Sequence, residues 1–243
     1  MQGAINRMKR FVSTLAISAA LGWLPASAQD ATSFHWTGAY VGGLVGYAKG
    51  ETGQRDFMGI SNPFDVRGFT AGATAGYNFQ IGSRLLVGLE ADISGSAIGG
   101  AFGPGNLGSQ TGGGWACNPG PCETDVSWYA TVRGRLGYTH NRFLVYGTGG
   151  LAIANVNSQI RNAGLFYAKK DTDTGWAAGA GAEYAFTDNW TAKVEYLYLD
   201  LGNASYLGGP AAGGFNVDLT AHTVKVGLNY RFGYGKAPVV AKY

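Results

Sequence analysis

Residues of like character recur at every second position along most of this chain. In the most regular stretch, Trp176, Ala178, Ala180, Ala182, Tyr184 and Phe186 fall on one face and Ala177, Gly179, Gly181 and Glu183 on the other. After a turn at Thr187, Asp188 and Asn189, the alternation resumes with Trp190, Ala192, Val194, Tyr196 and Tyr198 against Thr191, Lys193, Glu195, Leu197 and Leu199. The same period sets Phe69, Ala71, Ala73, Ala75, Tyr77 and Phe79 against Thr70, Gly72, Thr74, Gly76 and Asn78. It sets Leu85, Val87, Leu89, Ala91 and Ile93 against Gly88, Glu90, Asp92 and Ser94, and Trp128, Ala130, Val132, Leu136 and Tyr138 against Tyr129, Thr131, Arg133, Arg135 and Gly137. Near the C-terminus His222, Val224, Val226, Leu228, Tyr230 and Phe232 oppose Thr223, Lys225, Gly227, Asn229 and Arg231. Two further strands, from about Thr37 to Ala48 and from Phe143 to Asn155, have facings blurred by glycine, although Val41, Val45 and Tyr47 point away from any polar side. Eight strands result.

A soluble sheet hides its apolar face in a core, whereas a transmembrane barrel turns that face to lipid and its polar face to the lumen. The connections separate the two readings. Short turns at Ile81–Ser83, Thr139–Asn141 and Thr187–Asn189 alternate with long polar segments: one through Gly50, Asn62 and Pro63, then Gly99–Val126, Ser158–Thr172 and Asn203–Asn216. A bacterial outer-membrane barrel has short periplasmic turns and long extracellular loops. Strands of about 11 to 14 residues suit a tilted crossing of the bilayer. Tyr77, Phe79, Tyr138, Phe143, Tyr184, Phe186, Trp190, Tyr230 and Phe232 gather beside the short turns as one interfacial girdle. The expected fold is therefore all-β, an eight-stranded antiparallel up-and-down transmembrane β-barrel. A soluble lipocalin-like barrel is the competing reading.

Composition agrees. Charged residues make up only 14% of the chain, below the roughly 25% of soluble domains, while glycine contributes 41 of 243 residues. At the N-terminus, Arg7, Lys9 and Arg10 precede an apolar run from Phe11 to Leu24 and then Ala26-Ser27-Ala28, the pattern of a secretory signal peptide cleaved after Ala28. Residues 29–243 then form the barrel domain, with Gln29–His35 as a polar lead-in. A net charge of +3, dispersed along the chain, gives no reason to expect nucleic acid as a partner.

Several motifs together resemble a known family: Trp36-Thr37-Gly38-Ala39-Tyr40-Val41-Gly42-Gly43, Gly76-Tyr77-Asn78, Gly88-Leu89-Glu90-Ala91-Asp92, Arg133-Gly134-Arg135-Leu136-Gly137-Tyr138, Glu195-Tyr196-Leu197-Tyr198 and Gly227-Leu228-Asn229-Tyr230-Arg231-Phe232. The set is similar to the alphaproteobacterial outer-membrane immunogenic proteins, often labelled porin family, small OmpA-like barrels without a peptidoglycan-binding domain. The resemblance implies an abundant surface antigen of the cell envelope and no catalytic mechanism. The tail Pro238–Tyr243 also looks like family members, so the assembly signal ends at either Phe232 or Tyr243. Implied partners are outer-membrane lipid and lipopolysaccharide, the barrel assembly machinery, and host or envelope ligands at the loops.

The inward charges Glu90, Asp92, Arg133, Arg135, Glu183, Lys193, Glu195 and Lys225 form the candidate site, four acids and four bases at similar height. An eight-stranded barrel has an interior just wide enough for side chains to fill, so a paired network plugging the lumen is favoured over a polar ion path, the small porin-like channel. Stagger between strands leaves the pairing open. His35, His140 and His222 are too scattered for a Ser/His/acid constellation, so no enzyme is expected; His222, near the outer leaflet, is the residue that keeps a lipid-modifying activity in view. Cys117 and Cys122 bracket turn formers in the longest loop and read as a local disulfide of an exported chain, with a metal or haem ligand pair as the lesser reading. No cofactor is expected. Haemin binding, reported for some family members, would rest here on loop tyrosines such as Tyr167 or Tyr206.

Overall fold

The computed structural model describes residues 34–55, 61–102, 122–162, 165–206 and 215–232. They form eight strands: β1 (Gly38–Arg55), β2 (Ser61–Ile81), β3 (Leu85–Phe102), β4 (Cys122–His140), β5 (Phe143–Asn162), β6 (Leu165–Ala185), β7 (Trp190–Tyr206) and β8 (Phe215–Arg231). Each pairs antiparallel with its neighbours in sequence, and β1 closes on β8 through a ladder running from Tyr40 opposite Arg231 to Arg55 opposite Asn216. No edge remains, so each strand has a ladder partner on both sides, the condition for a sheet in hydrocarbon.

The alternation decides which side is which. Glu90, Asp92, Arg133, Arg135, Lys193, Glu195 and Lys225 are buried inside, while Phe69, Leu89, Leu136 and Leu151 stand on the outer wall at 64–74% exposure. A soluble barrel has the opposite arrangement, and an apolar wall that continues around the whole circumference calls for lipid. Two aromatic girdles bound it. The lower one, beside the short turns, contains Phe79, Tyr138, Phe186, Trp190 and Phe232. The upper contains Tyr47, Phe69, Trp128, Trp176 and Tyr198, with Tyr47 edge-on to Phe69 and Trp176 against Tyr198 at 5.3 and 5.4 Å between centroids. The spacing is regular: Phe69 to Phe79, Trp128 to Tyr138, and Trp176 to Phe186 are each ten residues apart. At about 3.3 Å per residue and a tilt near 40°, ten residues rise about 25 Å, the height of the apolar band of outer-membrane barrels.

The strands are longer than the alternation suggests, 17 to 21 residues rather than 11 to 14. Much of what reads as polar connection is paired sheet. Gly50 lies opposite Val66 and Gln54 opposite Asn62. Ser158–Asn162 continues β5 and Leu165–Thr172 belongs to β6, so the connection after β5 shrinks to residues 163–164 and the strict long–short alternation fails there. The ladder reaches beyond the expected loop boundaries also at Gly99–Phe102, Cys122–Val126, Asn203–Tyr206 and Phe215–Asn216. The physical reason is that above the upper girdle the outer wall meets water. An apolar face is no longer required, so strand persists without the signature that reveals it.

The short turns use left-handed backbone at Gly82 (φ 63°) and Asn141 (φ 52°), residue types that tolerate it. These turns mark the periplasmic end, and the projecting strands the cell surface. Accordingly, an epitope tag inserted at Gly113 is expected to be accessible to antibody on intact cells, and one inserted at Gly82 or Asn141 only after permeabilisation; the reverse pattern would invert the barrel.

The barrel interior as candidate functional site

Inside, the sequence yields three stacked layers. The lowest is centred on an apolar cluster, Trp36, Leu86, Leu144, Tyr146 and Ala185 with Phe34 against them, bordered by the buried Asn78, Thr139 and Arg231. Phe34 and His35, the described end of the segment expected to be a polar lead-in, thus lie with Trp36 at the periplasmic mouth. Trp36 is fully buried; its backbone N–H donates to Gln80 Oε1 (2.9 Å) and its indole Nε1 to the Asn141 carbonyl (3.2 Å). Phe34 packs edge-on against it at 5.0 Å, and the guanidiniums of Arg231 and Arg142 lie 4.5 and 5.2 Å from the Phe34 ring. Arg231 also donates to the His35 carbonyl. The uppermost layer is mainly apolar, built from Val66, Ile98, Val126, Tyr129, Val156, Leu199, Leu201 and Leu219 with small alanines between them and the buried Thr70, Thr124 and Asn155 at their edges.

Between the two lie all eight expected charges. Arg133 Nη2 stands 2.9 Å from Glu90, 2.7 Å from Asp92 and 3.1 Å from Glu195. Arg135 bridges Glu90 (3.3 Å) and Glu183 (2.9 Å), Lys193 reaches Glu90 (2.8 Å) and Lys225 reaches Asp92 (2.9 Å). These side chains are at most 2% exposed. The partners are not those that strand neighbourhood suggests. Glu183 sits directly opposite Lys193, and Glu195 opposite Lys225, yet both lysines cross the lumen to β3. Only Glu90 and Arg133 are both ladder neighbours and ion partners. The network therefore braces β3 and β4 against β6, β7 and β8.

Neutral groups complete it, and no local pattern announces them. The Tyr40 hydroxyl donates to Glu90 Oε2 (2.7 Å) and accepts from Arg135 (2.6 Å). Tyr146 donates to Glu195 Oε2 (2.9 Å), and its ring lies 3.9 Å from the Arg135 guanidinium carbon. Thr131 donates to Asp92, and Thr191 and Asn229 donate to Glu183. Tyr146 stands immediately before Gly147, Gly149 and Gly150, in the strand whose facing the glycines blur. Two inward glycines make room for these rings. A Cβ on Gly76 would meet the Tyr40 hydroxyl at 2.4 Å, and one on Gly181 the Tyr146 hydroxyl at 2.5 Å, so each tyrosine lies across a neighbouring strand where only glycine fits.

One acid is held less fully than the rest. Glu195 Oε1 lies 3.1 Å from Arg133 Nη2 but off the hydrogen-bonding direction, so this contact is Coulombic. The three histidines lie apart: His35 at the periplasmic mouth, His140 at the end of β4, and His222 on the outer wall, where Tyr196 Oη and its Nδ1 are 2.6 Å apart. Of the two cysteines, Cys117 lies outside the described residues, as does the tail from residue 233; Cys122 begins β4. Tyr167 and Tyr206 fall within β6 and β7 rather than in loops.

An apolar outer wall between two girdles, enclosing a charged interior without an edge, defines a transmembrane barrel of the bacterial outer membrane. The chain belongs to the outer membrane protein beta-barrel domain family, whose profile matches residues 16–232. It is 40% identical over 227 residues to the 31 kDa outer-membrane immunogenic protein of Brucella melitensis, covering 85% of this chain and 88% of that protein. To the 25 kDa outer-membrane immunogenic protein of Brucella abortus it is 32% identical over 212 residues, 86% of this chain and 85% of that one. Among solved structures, Ail, the attachment invasion locus protein of Yersinia pestis, aligns over 81% of this chain and 99% of its own with 16% identity and a TM-score of 0.41. The outer membrane is the protein's location, and its class, fold and family are those expected from the motifs.

Proposed function

We propose that the protein is a structural barrel and surface antigen, its lumen sealed by its own side chains and its projecting strands and loops serving as the contact surface. The observation that carries the reading is the position of the ionic layer between two apolar clusters. A conducting path needs continuous polar surface, and here an ion would have to pass Tyr129, Leu199 and Leu219 above the charges and Trp36 and Leu144 below them. Within the ionic layer four acids stand against four bases, so the charges there are matched and held by one another rather than presented to a passing ion. Surface antigenicity is supported by the names of the Brucella relatives and by the length of strand beyond the upper girdle. No catalytic role is proposed, since His35, His140 and His222 occupy three separate places.

Planar-bilayer recording on the refolded residues 29–243 tests this. The expected result is no steady conductance above baseline. A stable, voltage-independent current in the wild type, with ion selectivity altered by Arg133→Glu in a protein that still folds, would replace the seal with a porin-like channel.

A further inference from the structure

The closure that leaves no edge within the membrane does not extend to the top of the strands. The β2–β3 ladder ends at Arg67 opposite Gly99 and the β6–β7 ladder at Trp176 opposite Asp200. The six other ladders run on, as between β1 and β2 to Arg55 opposite Ser61 and between β5 and β6 to Asn162 opposite Leu165. Beyond the upper girdle the wall therefore parts into two four-stranded sheets, β7-β8-β1-β2 and β3-β4-β5-β6. On the side away from β5, the edge of β6 over residues 165–171 has no ladder partner among the described residues. Asp171 stands five residues above Trp176, about 13 Å at a tilt near 40°, so this edge lies in water.

The backbone groups this edge offers follow from the register. Ala185 donates its N–H to the Arg142 carbonyl on the β5 side (2.9 Å), and the pairing runs from there to Leu165 without a shift. Successive residues of an antiparallel strand turn their N–H and C=O to opposite sides, so the odd-numbered residues of β6 serve β5. Phe166, Ala168 and Lys170 turn theirs to the open side. Such a row is a template for another chain. The parting between β2 and β3 is blunted, since Pro63, which has no N–H, lies in the part of β2 beyond that ladder. The β6 edge holds no proline. A second copy does not suit it. Two copies in one membrane both run β6 toward the periplasm, which forbids antiparallel pairing of the two edges, and the charges of Lys169 and Lys170 oppose self-association. Residues 158–171 carry three bases, Arg161, Lys169 and Lys170, against the single acid Asp171, a balance that favours an acidic strand.

We propose that the β6 edge over residues 165–171 is a docking site for an extended, acidic peptide segment of an extracellular protein, which joins the sheet as a strand antiparallel to β6. The site rests on the reading of the projecting strands as a contact surface and names how they make contact. Two measurements on the refolded residues 29–243 in dodecyl maltoside micelles test it. In the free barrel, hydrogen exchange followed by NMR is expected to be fast at the amides of Phe166, Ala168 and Lys170 and slow at those of Tyr167 and Lys169, which serve β5. Fluorescence anisotropy then reads binding of a labelled peptide of five valine–glutamate repeats, with the same peptide N-methylated at alternate residues as control. The unmodified peptide is expected to bind and to slow exchange at the three open-side amides, and the methylated one, equal in charge and side chains, to fail. Ala168→Pro, which removes one open-side donor without touching the β5 ladder, is expected to weaken binding about fivefold to tenfold, the worth of a backbone hydrogen bond or two. Equal affinity for the two peptides would overturn the edge while leaving these strands a contact surface that acts through side chains. Binding of neither peptide, an unchanged affinity in Ala168→Pro, or open-side amides as protected in the free barrel as Tyr167 and Lys169 would each overturn it too.

Discussion

Arg133→Ala is expected to destabilise the barrel by about 3 to 5 kcal/mol, the range for breaking a buried ion pair from one side. Arg133 contacts Glu90, Asp92 and Glu195 together. Its loss leaves the lumen one positive charge short in a place water does not reach. The three acids do not suffer equally. Glu90 retains Arg135 and Lys193, and Asp92 retains Lys225, whereas Glu195 keeps only the neutral Tyr146 hydroxyl among the described residues. The partner to remove in a double-mutant cycle is therefore Glu195. Glu195→Gln preserves an acceptor for Tyr146, and the Arg133→Ala/Glu195→Gln double variant is expected to recover about 0.5 to 3 kcal/mol relative to the sum of the single changes. Lys225→Met should cost less than Arg133→Ala, because Asp92 keeps the arginine. Urea titration of the protein folded into lipid vesicles measures all four. Additive single effects, or a Lys225 variant worse than the Arg133 variant, would show that the network is not centred on Arg133.

The membrane-spanning part of the fold was legible because lipid enforces it. From Phe69 to Phe79 and from Trp176 to Phe186 every outward residue must be apolar, and the inward ones are free to be glycine, threonine or charged, so period two is written into the residues. Where the wall leaves the membrane that demand ends, and Gly50–Arg55 and Ser158–Asn162 look like loop although they hold their ladders. The eight charges were legible as a set for the same reason, since each falls on the face opposite the apolar one and therefore points inward. Their pairing was not. Lys193 has Glu183 beside it on the sheet and Glu90 across the lumen, and it takes the latter because Glu183 is already occupied by Arg135, Thr191 and Asn229. That choice depends on barrel closure, which no local pattern encodes. Trp36 was illegible for a different reason. It stands before the first strand, outside any periodicity, and its partners Gln80, Asn141 and Leu144 are more than forty residues away.

Trp36 nevertheless closes one end of the molecule, and its removal carries the other large effect. It is fully buried in the cluster of Leu86, Leu144, Tyr146 and Ala185, and it satisfies the Asn141 carbonyl at the β4–β5 turn through its indole N–H. Trp36→Ala is expected to cost about 3 to 5 kcal/mol from lost burial and the cavity left behind, read as a lower urea midpoint in vesicles. Trp36→Phe, which refills most of the space but cannot donate to Asn141, should lose less. The same variants separate the layers. If each layer seals by itself, Trp36→Ala opens the periplasmic mouth while Tyr129, Leu199 and Leu219 still close the surface side, and planar-bilayer current stays at baseline despite the lost stability. A steady current in Trp36→Ala that is absent in Trp36→Phe would instead make the N-terminal aromatic segment the sole stopper of a lumen otherwise open to ions.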